Sequence, residues 1–322
     1  MLAFTKREVA EQNTAAPRGG PSFILPGSDG LAETGIRLRQ MGEVDLGRVR
    51  ELRSVVRWAA DPEAFDLLRG MRDARWAVAE ASGGSLAGMV GAVPLGRVGI
   101  LCHLAVHDGY RKMGLGYALS SWAVLYLRSR GAEVVRLYST RQAQDLYHSL
   151  GFRPAAPRIV YRLEEAPRKA GAREAADGHR VEALSFGDLP ELYGVDRWSY
   201  GGDRSALIFA TLRLHPGGGL VARDSSGRIQ GYLIRGASGN MTRIGPFMAS
   251  TPGVARLLLA RALDGSPVEV TVPGPAENPA HDLLREFGFG GRTDRLRMEL
   301  GEECGVRPAG LEQYGTTPYL AT

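Results

Sequence analysis

Residues 99–119 read Gly99-Ile-Leu-Cys-His-Leu-Ala-Val-His-Asp-Gly-Tyr-Arg-Lys-Met-Gly-Leu-Gly-Tyr-Ala-Leu119. The apolar run over residues 100–106 predicts a buried strand, and a helix is expected over about residues 115–130. Between them stands the loop Arg111-x-x-Gly114-x-Gly116. Glycines let the backbone approach a ligand closely, and the N-terminus of a helix attracts anions. The stretch therefore predicts a phosphate site, whereas the loop by itself would also fit a plain strand-to-helix turn.

The segments on both sides of this stretch alternate between strand and helix patterns. Upstream, residues 36–40 alternate like a strand, Asp45 is expected to cap a helix, and Asp61-Pro62 predicts the start of a second helix. The remaining elements are predicted as strands at 76–80, 86–94 and 133–138, a helix at 140–150, and a strand at 159–163 that closes this first sheet.

After residue 178 the same order of signals begins again. Asp45-Leu46 recurs as Asp188-Leu189, 143 positions later (188 − 45), and Asp145-Leu-Tyr-His-Ser-Leu-Gly-Phe152 recurs as Asp282-Leu-Leu-Arg-Glu-Phe-Gly-Phe289, 137 positions later (282 − 145). The shortening falls in the interval that holds the counterpart of residues 99–119, and the Arg-x-x-Gly-x-Gly loop is absent there. The sequence therefore predicts two copies of one fold, of which only the first keeps the phosphate loop.

The repeat and the composition of the intervening segments predict the domain boundaries. A stretch rich in Ala, Gly, Pro and charged residues separates the two copies and is typical of a linker. The predicted segments are an N-terminal arm at 1–34, a first domain at 35–165, a linker at 166–178, a second domain at 179–300 and a C-terminal tail at 301–322.

Composition limits the partners and the compartment. The net charge is +5, and the 40 Lys and Arg residues are scattered and matched by 35 Asp and Glu. The abundance of arginine is therefore better explained by codon usage than by a polyanionic partner, and no nucleic acid is expected. No apolar run is long enough to span a membrane. The two cysteines make no disulfide framework, which indicates a cytoplasmic protein, and no Cys/His cluster has zinc spacing, so no metal is expected.

Two motifs resemble a known family. The turn Val106-His-Asp-Gly-Tyr-Arg111 with its glycine loop resembles motif A of the GNAT superfamily of acetyl-CoA-dependent N-acetyltransferases, and Thr140-Arg-Gln-Ala-Gln-Asp-Leu-Tyr147-His-Ser-Leu-Gly-Phe152 resembles motif B, with Thr140 where asparagine is usual. The resemblance implies an α/β chain of tandem GNAT folds, each a central mixed, mainly antiparallel sheet with a splayed strand and flanking helices. It also implies that acetyl-CoA, the cosubstrate, binds to Leu104, Ala105, Val106, Arg111, Lys112, Met113, Gly114, Leu115, Gly116 and Thr140.

The second half resembles a bacterial two-domain GNAT group. Tyr200-Gly-Gly-Asp203-Arg204 and Ile244-Gly-Pro246 are similar to signatures of that group, whose second domain is a degenerate acetyltransferase fold. The resemblance implies that the first domain carries out acetyl transfer and that the second shapes the acceptor pocket.

The resemblance places Tyr147 near the thioester sulfur, where a phenol can donate a proton to the leaving thiolate. The second half has Leu284 at this place. Some family members carry a glutamate near the start of the strand where Ile100 stands here, so the general base is open. His103 is one candidate, with a packed core histidine as the alternative; Glu80 is another, with a surface charge as the alternative.

The candidate acceptor contacts are Trp58, Glu80, Asp196, Tyr200 and Asp203, since a carboxylate suits a cationic amine and a cleft between domains is a common ligand site. The competing interpretation has Asp203 capping a helix, an internal ion pair with Arg204, and Trp58 in a core. The predicted function is N-acetylation of a small-molecule primary amine by a monomer or homodimer. The alternatives are acetylation of a protein lysine or N-terminus, a non-catalytic CoA-binding sensor, and a purely structural repeat.

Overall fold

The computed structural model describes residues 35–56, 62–165, 178–302 and 310–318. They form two compact units. The first unit contains the described residues up to Leu137 together with Ala143–Arg153 and Glu299–Glu302, and the second contains Tyr138–Gln142, Pro154–Met298 and the described residues beyond Glu302. The predicted N-terminal arm and residues 166–177 of the predicted linker lie outside the described residues.

The first unit is a five-stranded sheet in the order β1-β2-β3-β4-β5, antiparallel except for the parallel pair β4–β5. Close helix–sheet packing relies on glycine: a side chain on Gly99 would lie 2.9 Å from Leu127, which covers that face of the sheet. The elements in chain order are β1 (Arg37–Gln40), α1 (Leu46–Val55), α2 (Pro62–Arg69), β2 (Arg75–Glu80), β3 (Leu86–Leu95), β4 (Val98–Val106), α3 (Leu115–Ser129), β5 (Val134–Ser139) and α4 (Gln144–Ser149).

The second unit repeats this order of elements. Its sheet runs β12-β6-β11-β10-β9-β8-β7, and β13 pairs with β10 outside that order. The predicted fold class, with mixed sheets and flanking helices in two copies, is confirmed. The elements are β6 (Arg153–Leu163), β7 (Arg180–Ala183), α5 (Leu189–Tyr200), α6 (Ser205–Leu214), β8 (Gly219–Arg223), β9 (Ile229–Ser238), β10 (Met241–Ala249), α7 (Pro252–Ala262), β11 (Val268–Pro273), α8 (Ala280–Glu286), β12 (Gly290–Leu300) and β13 (Glu312–Gly315).

One strand prediction is wrong. Residues 159–163 do not close the first sheet, because β6 pairs antiparallel with β11 of the second unit, from Leu163 opposite Val268 to Arg158 opposite Pro273. Conversely, Glu299 near the end of β12 belongs to the first unit, where it accepts a hydrogen bond from Arg136 Nε at 2.7 Å. The apolar pattern of a strand specifies which side is buried and leaves the choice of neighbouring strand to tertiary packing.

Candidate active site

In the first unit, β4 and β5 separate after three residue pairs, the last of which is Ile100 with Arg136. β4 continues to Val106, and within the described chain residues 101–106 do not pair with β5. Buried backbone N–H and C=O groups need hydrogen-bond partners. This edge, which includes the predicted contacts Leu104, Ala105 and Val106, is therefore able to pair with an extended ligand. The expected splayed strand is confirmed.

A β-bulge lies in β4 just past the separation. Cys102 pairs with Gly91 and Ala105 with Met89, so two residues of β4, His103 and Leu104, fall opposite a single residue of β3. His103 has a φ of 51°, which non-glycine residues rarely adopt. Such bulges bend a strand and occur beside active sites. The bulge lies where β4 pairs with β3 and no longer with β5.

The loop between β4 and α3 presents a row of backbone donors. Lys112 and Gly114 both have positive φ, at 63° and 79°, and alternating backbone handedness of this kind turns successive N–H groups toward one side. In the described structure, the N–H groups of residues 112–117 donate to no protein acceptor; the first helical bond is that from Ala118 to the carbonyl of Gly114. The loop is exposed to solvent. The arrangement can bind a pyrophosphate, as the sequence predicts. It also includes the N–H of Tyr117, which the prediction missed. The first N–H groups of any helix lack partners within that helix, and this rule could have identified Tyr117.

The side chains around this loop fix its entry. His107 Nδ1 accepts a hydrogen bond from the N–H of Gly109 at 3.1 Å, which holds the one-turn helix Asp108–Tyr110. Arg111, a predicted cofactor contact, forms an exposed ion pair with Asp108 at 2.7 Å. Exposed pairs of this kind contribute little to stability. The guanidinium of Arg111 can therefore exchange Asp108 for a phosphate oxygen.

The corresponding helix of the second unit, α7, has a closed N-terminus. Thr251 Oγ1 accepts a hydrogen bond from the N–H of Val254 at 3.2 Å, and Pro252 at the first helical position has no N–H to offer. The N-cap of α3 is Gly114, which provides no side-chain cap. Of these two helices, α3 therefore keeps the larger set of backbone donors for an anion.

Tyr147 lies on α4, next to the phosphate loop. A side chain on Gly116 would lie 3.1 Å from Leu146, so α4 packs against the first turn of α3 through the residue that precedes Tyr147. The ring of Tyr147 is buried and meets Phe152 edge to face, with 5.7 Å between the ring centroids. The structure thus brings the glycine loop and residues 143–152 of the second motif together within the first unit. Thr140 is exposed and belongs to the second unit. Its carbonyl accepts a hydrogen bond from Ser139 Oγ. The contact of Thr140 with acetyl-CoA stays a prediction.

His103 is engaged on one ring nitrogen. Arg53 Nη1 lies 2.8 Å from His103 Nδ1, and because a guanidinium only donates, Nδ1 is the acceptor and the ring proton sits on Nε2. The ring is buried beside Trp76 and Phe65, at centroid distances of 5.2 and 5.9 Å. In this tautomer neither nitrogen can take a proton from an amine. The geometry argues against His103 as the general base; Arg53, which controls this tautomer, carries no sequence signal that would have identified it.

Glu80 is held in an ion-pair cluster. Its carboxylate accepts hydrogen bonds from Arg39, Arg37 and Arg48 at 2.8–2.9 Å. These bonds, that from Arg39 foremost, hold the pKa of Glu80 far below its ordinary value of 4.5. A carboxylate so engaged is a poor proton acceptor, which argues against Glu80 as base or acceptor contact. Asp45 stands at the N-cap position of α1, as predicted, but its side chain does not cap that helix, because its carboxylate binds the N–H of Gly42 and the guanidinium of Arg39 and no backbone N–H of α1.

The candidate acceptor contacts of the second half are engaged inside their own unit. Asp196 and Arg204 form a buried ion pair, and Arg204 lies 4.0 Å from the ring centroid of Tyr200. Asp203 accepts a hydrogen bond at 3.0 Å from the N–H of Ser205, the first residue of α6. These contacts favour the structural interpretation of the three predicted residues. Trp58 lies outside the described residues.

Among the described residues, no group of three His, Cys, Asp or Glu side chains is placed to hold a metal ion. None of the described helices has the length and apolar character needed to cross a membrane.

Comparisons with known proteins agree with the two-unit arrangement. Residues 48–152 match the profile of the Acetyltransferase (GNAT) family, and residues 193–308 match that of an Acetyltransferase (GNAT) domain. The uncharacterized N-acetyltransferase YitH of Bacillus subtilis (strain 168) is 25% identical over 213 residues, which cover 64% of this chain and 71% of YitH.

Solved structures share the fold across both units. A protein from Pyrococcus horikoshii has a TM-score of 0.69 at 20% identity and covers 89% of this chain and 96% of its own. A GCN5-related N-acetyltransferase from Sphaerobacter thermophilus has a TM-score of 0.61 at 21% identity, over 91% of this chain and all of that one (100%). A tandem GNAT protein from the clavulanic acid biosynthesis pathway has a TM-score of 0.60 at 14% identity, over 82% and 98%.

Proposed function

Because the chain belongs to the GNAT acetyltransferase family and carries two GNAT domains in tandem, we propose that its first unit binds acetyl-CoA and transfers the acetyl group to the primary amine of a small molecule. The observation that carries the proposal is the row of backbone N–H groups at residues 112–117, which have no acceptor among the described residues, in the loop that follows the edge of β4 that does not pair with β5. A pyrophosphate fits the first feature and an amide-containing pantetheine arm fits the second.

The binding residues follow from these two features. The N–H groups of Lys112, Met113, Gly114, Leu115 and Gly116 hold the pyrophosphate, and Arg111 adds a cation at the edge of the loop. The backbone of Leu104, Ala105 and Val106 pairs with the pantetheine arm, which extends the sheet on the open side of β4. Thr140 completes the proposed set from the motif that it shares with Tyr147.

The proposed reaction is direct transfer. The neutral amine nitrogen attacks the thioester carbonyl carbon, a C–N bond forms, and the negative charge on the carbonyl oxygen is stabilised by a backbone N–H on the open edge of β4. The C–S bond then breaks, and the phenol of Tyr147 gives its proton to the thiolate. The excess proton on the attacking nitrogen leaves to water, since His103 and Glu80 are both engaged by arginines, and water returns a proton to the Tyr147 phenolate.

The small acceptor is supported by the surroundings of the bulge. Phe65 and Trp76 pack closely around His103, and all three side chains are buried. Buried aromatic side chains packed beside β4 leave less room for a polypeptide than for a small amine. Cytoplasmic location is supported by the buried, unbridged thiol of Cys102, and the chain is proposed to act as a monomer or homodimer without nucleic acid or membrane partners.

The test is thiol release from acetyl-CoA over a panel of small amines, with lysine peptides and peptide N-termini as a second panel. Turnover with small amines that exceeds turnover with every peptide is the expected result. A preference for the peptides would overturn the acceptor class, and no release with either panel would overturn the proposed transfer. The Gly114→Glu variant, run in parallel, identifies release that does not depend on the loop.

A further inference from the structure

The sheet of the second unit also contains a pair of strands that separate. β10 and β11 run parallel over three residue pairs, which end at Ile244 with Val270, as β4 and β5 end at Ile100 with Arg136. Beyond Ile244, β10 continues to Ala249. This second separation therefore presents the same kind of strand edge as the first.

Here the edge is occupied by the chain itself. Residues 311–317, which we call the closing segment, contain β13, whose residues Gly315, Gln313 and Glu312 pair antiparallel with Phe247, Met248 and Ala249 of β10. On its other side, the N–H of Thr316 donates to the carbonyl of Thr271 on β11 at 2.8 Å. The closing segment thus bridges the two strands that have moved apart.

The closing segment is part of the core of the second unit. Leu311 is 3% exposed and packs among residues of α5 and α6, whereas Tyr314 is 1% exposed and packs on the side of α7. The ring of Tyr314 lies 5.3 Å from that of Phe247, and burial raises the pKa of its phenol to about 12. Its two apolar side chains are therefore buried on opposite faces of the sheet.

The strands that receive the closing segment are shaped to admit it. A side chain on Gly245 would place its Cβ 1.9 Å from the carbonyl oxygen of Thr316, and one on Gly315 would lie 3.0 Å from Val270. Asn278 Nδ2, before α8, donates to the carbonyl of Gln313 at 2.9 Å. The two close contacts at glycine and the side-chain hydrogen bond from Asn278 are features of a site that accepts an added strand.

We propose that the second unit is a strand-addition site whose resident ligand is the closing segment, and that this segment excludes acyl-CoA from the second unit. The second unit accepts an extended peptide that has apolar side chains at the positions of Leu311 and Tyr314 and a glycine at the position of Gly315. The closed N-terminus of α7 removes the phosphate end of a nucleotide site in the same unit. The comparison of the closing segment with a pantetheine arm bound to the first unit rests on the proposed function. The pairing of the closing segment with β10 does not.

The test uses Gly245→Ala in the full chain, because it places a methyl group against the closing segment without changing that segment. Gly194→Ala, on α5 with no atom within 4 Å of the added carbon, is the matched control. Hydrogen exchange is measured by mass spectrometry on peptides that cover residues 311–317. Slow exchange is expected in the parent and in Gly194→Ala, and exchange at least tenfold faster in Gly245→Ala. Equal exchange in all three proteins, or parent exchange as fast as that of an unfolded peptide, would overturn the proposal.

A second experiment keeps the test informative if Gly245→Ala folds poorly. A protease recognition sequence replaces residues 303–309, and the full chain is cleaved there after purification. The released peptide, beginning at Gly310, is expected to co-elute with the rest of the protein on gel filtration and to exchange with an added labelled copy, but not with a copy that carries Tyr314→Ala. Immediate loss of the peptide on the column would contradict a resident ligand.

Acetyl-CoA titration distinguishes this proposal from the proposed function. The expected stoichiometry is one per chain in the parent, and none in Gly114→Glu. A second molecule bound per parent chain would overturn the exclusion of acyl-CoA from the second unit. If the parent binds no acetyl-CoA, the proposed function is overturned. The strand-addition proposal is then judged by the hydrogen exchange of the closing segment.

Discussion

Glu80 at the end of β2 and Arg223 at the end of β8 occupy equivalent positions of the two halves, 143 residues apart (223 − 80), and each is the centre of an ion-pair cluster of opposite sign. Glu80 binds Arg37, Arg39 and Arg48; Arg223 binds Glu182, Asp188 and Glu191. Both clusters tie the end of this strand to an earlier strand, β1 or β7, and to the start of the helix that follows that earlier strand, α1 or α5. The second unit keeps such a cluster without the glycine loop, which favours a role of the cluster in the fold over one in acetyl transfer.

The first prediction concerns this cluster. Glu80→Gln is expected to lower the free energy of unfolding by about 3 kcal/mol, because it removes the carboxylate that faces the buried guanidinium of Arg39. Arg37→Gln, which removes an exposed partner of the same carboxylate, is expected to cost less than about 1 kcal/mol. Urea denaturation measures both values, and equal effects of the two variants would contradict the assignment.

The same carboxylate makes stability depend on pH. Its pKa is lower in the folded than in the unfolded state, so its contribution is complete above the ordinary value of 4.5 and is lost as the pH falls through the folded pKa. The free energy of unfolding of the parent is therefore expected to fall below about pH 4.5 more steeply than that of Glu80→Gln. Chemical denaturation between pH 3 and 7, in steps of about half a unit, tests the slope; parallel curves would refute the prediction.

The second prediction concerns the loop. Gly114→Glu is expected to weaken acetyl-CoA binding by about 100-fold, since a side chain at a φ of 79° costs about 1–2 kcal/mol and the carboxylate repels the pyrophosphate. Gly47→Glu adds the same charge on α1, where nothing lies within 4 Å, and should bind as the parent does. Isothermal titration gives the dissociation constants. Parent-like binding by Gly114→Glu would remove the loop from the site.

The third prediction concerns proton donation to the thiolate. Tyr147→Phe is expected to lower kcat by about 100-fold, the range of a lost general acid, while the dissociation constant of acetyl-CoA changes less than about twofold. Tyr126→Phe is the control, because the hydroxyl of Tyr126 donates to the carbonyl of Asp73 and serves only packing on α3. Steady-state thiol release measures kcat. An undiminished rate in Tyr147→Phe would assign the acid elsewhere.

The fourth prediction concerns His103. Arg53 occupies Nδ1 of His103 and the ring proton sits on Nε2. In the His103→Phe variant, kcat/KM is therefore expected to rise with pH over the same pH range as in the parent. Loss of the buried hydrogen bond should still lower the free energy of unfolding by about 1–3 kcal/mol. Disappearance of this rise in His103→Phe, at unchanged acetyl-CoA affinity, would restore His103 as the base.

The sequence by itself determined the repeated fold and the place of the glycine loop that we propose to bind phosphate. Both depend on local signals: apolar periodicity makes β4 and α3, and glycine is needed where the backbone takes a positive φ at residue 114. The second copy, with Thr251 and Pro252 in place of that loop, confirmed the asymmetry between the halves.

Only the tertiary structure decided which charged residues are engaged and which strand edges are occupied. Glu80 meets Arg39 from 41 positions away, Arg53 meets His103 from 50 positions away, and the closing segment reaches β10 from more than 60 residues further along the chain. A carboxylate or imidazole has the same sequence signature whether it is exposed or paired, and an unpaired strand edge specifies only backbone geometry. Partners of this kind are chosen by three-dimensional packing, which no local pattern contains.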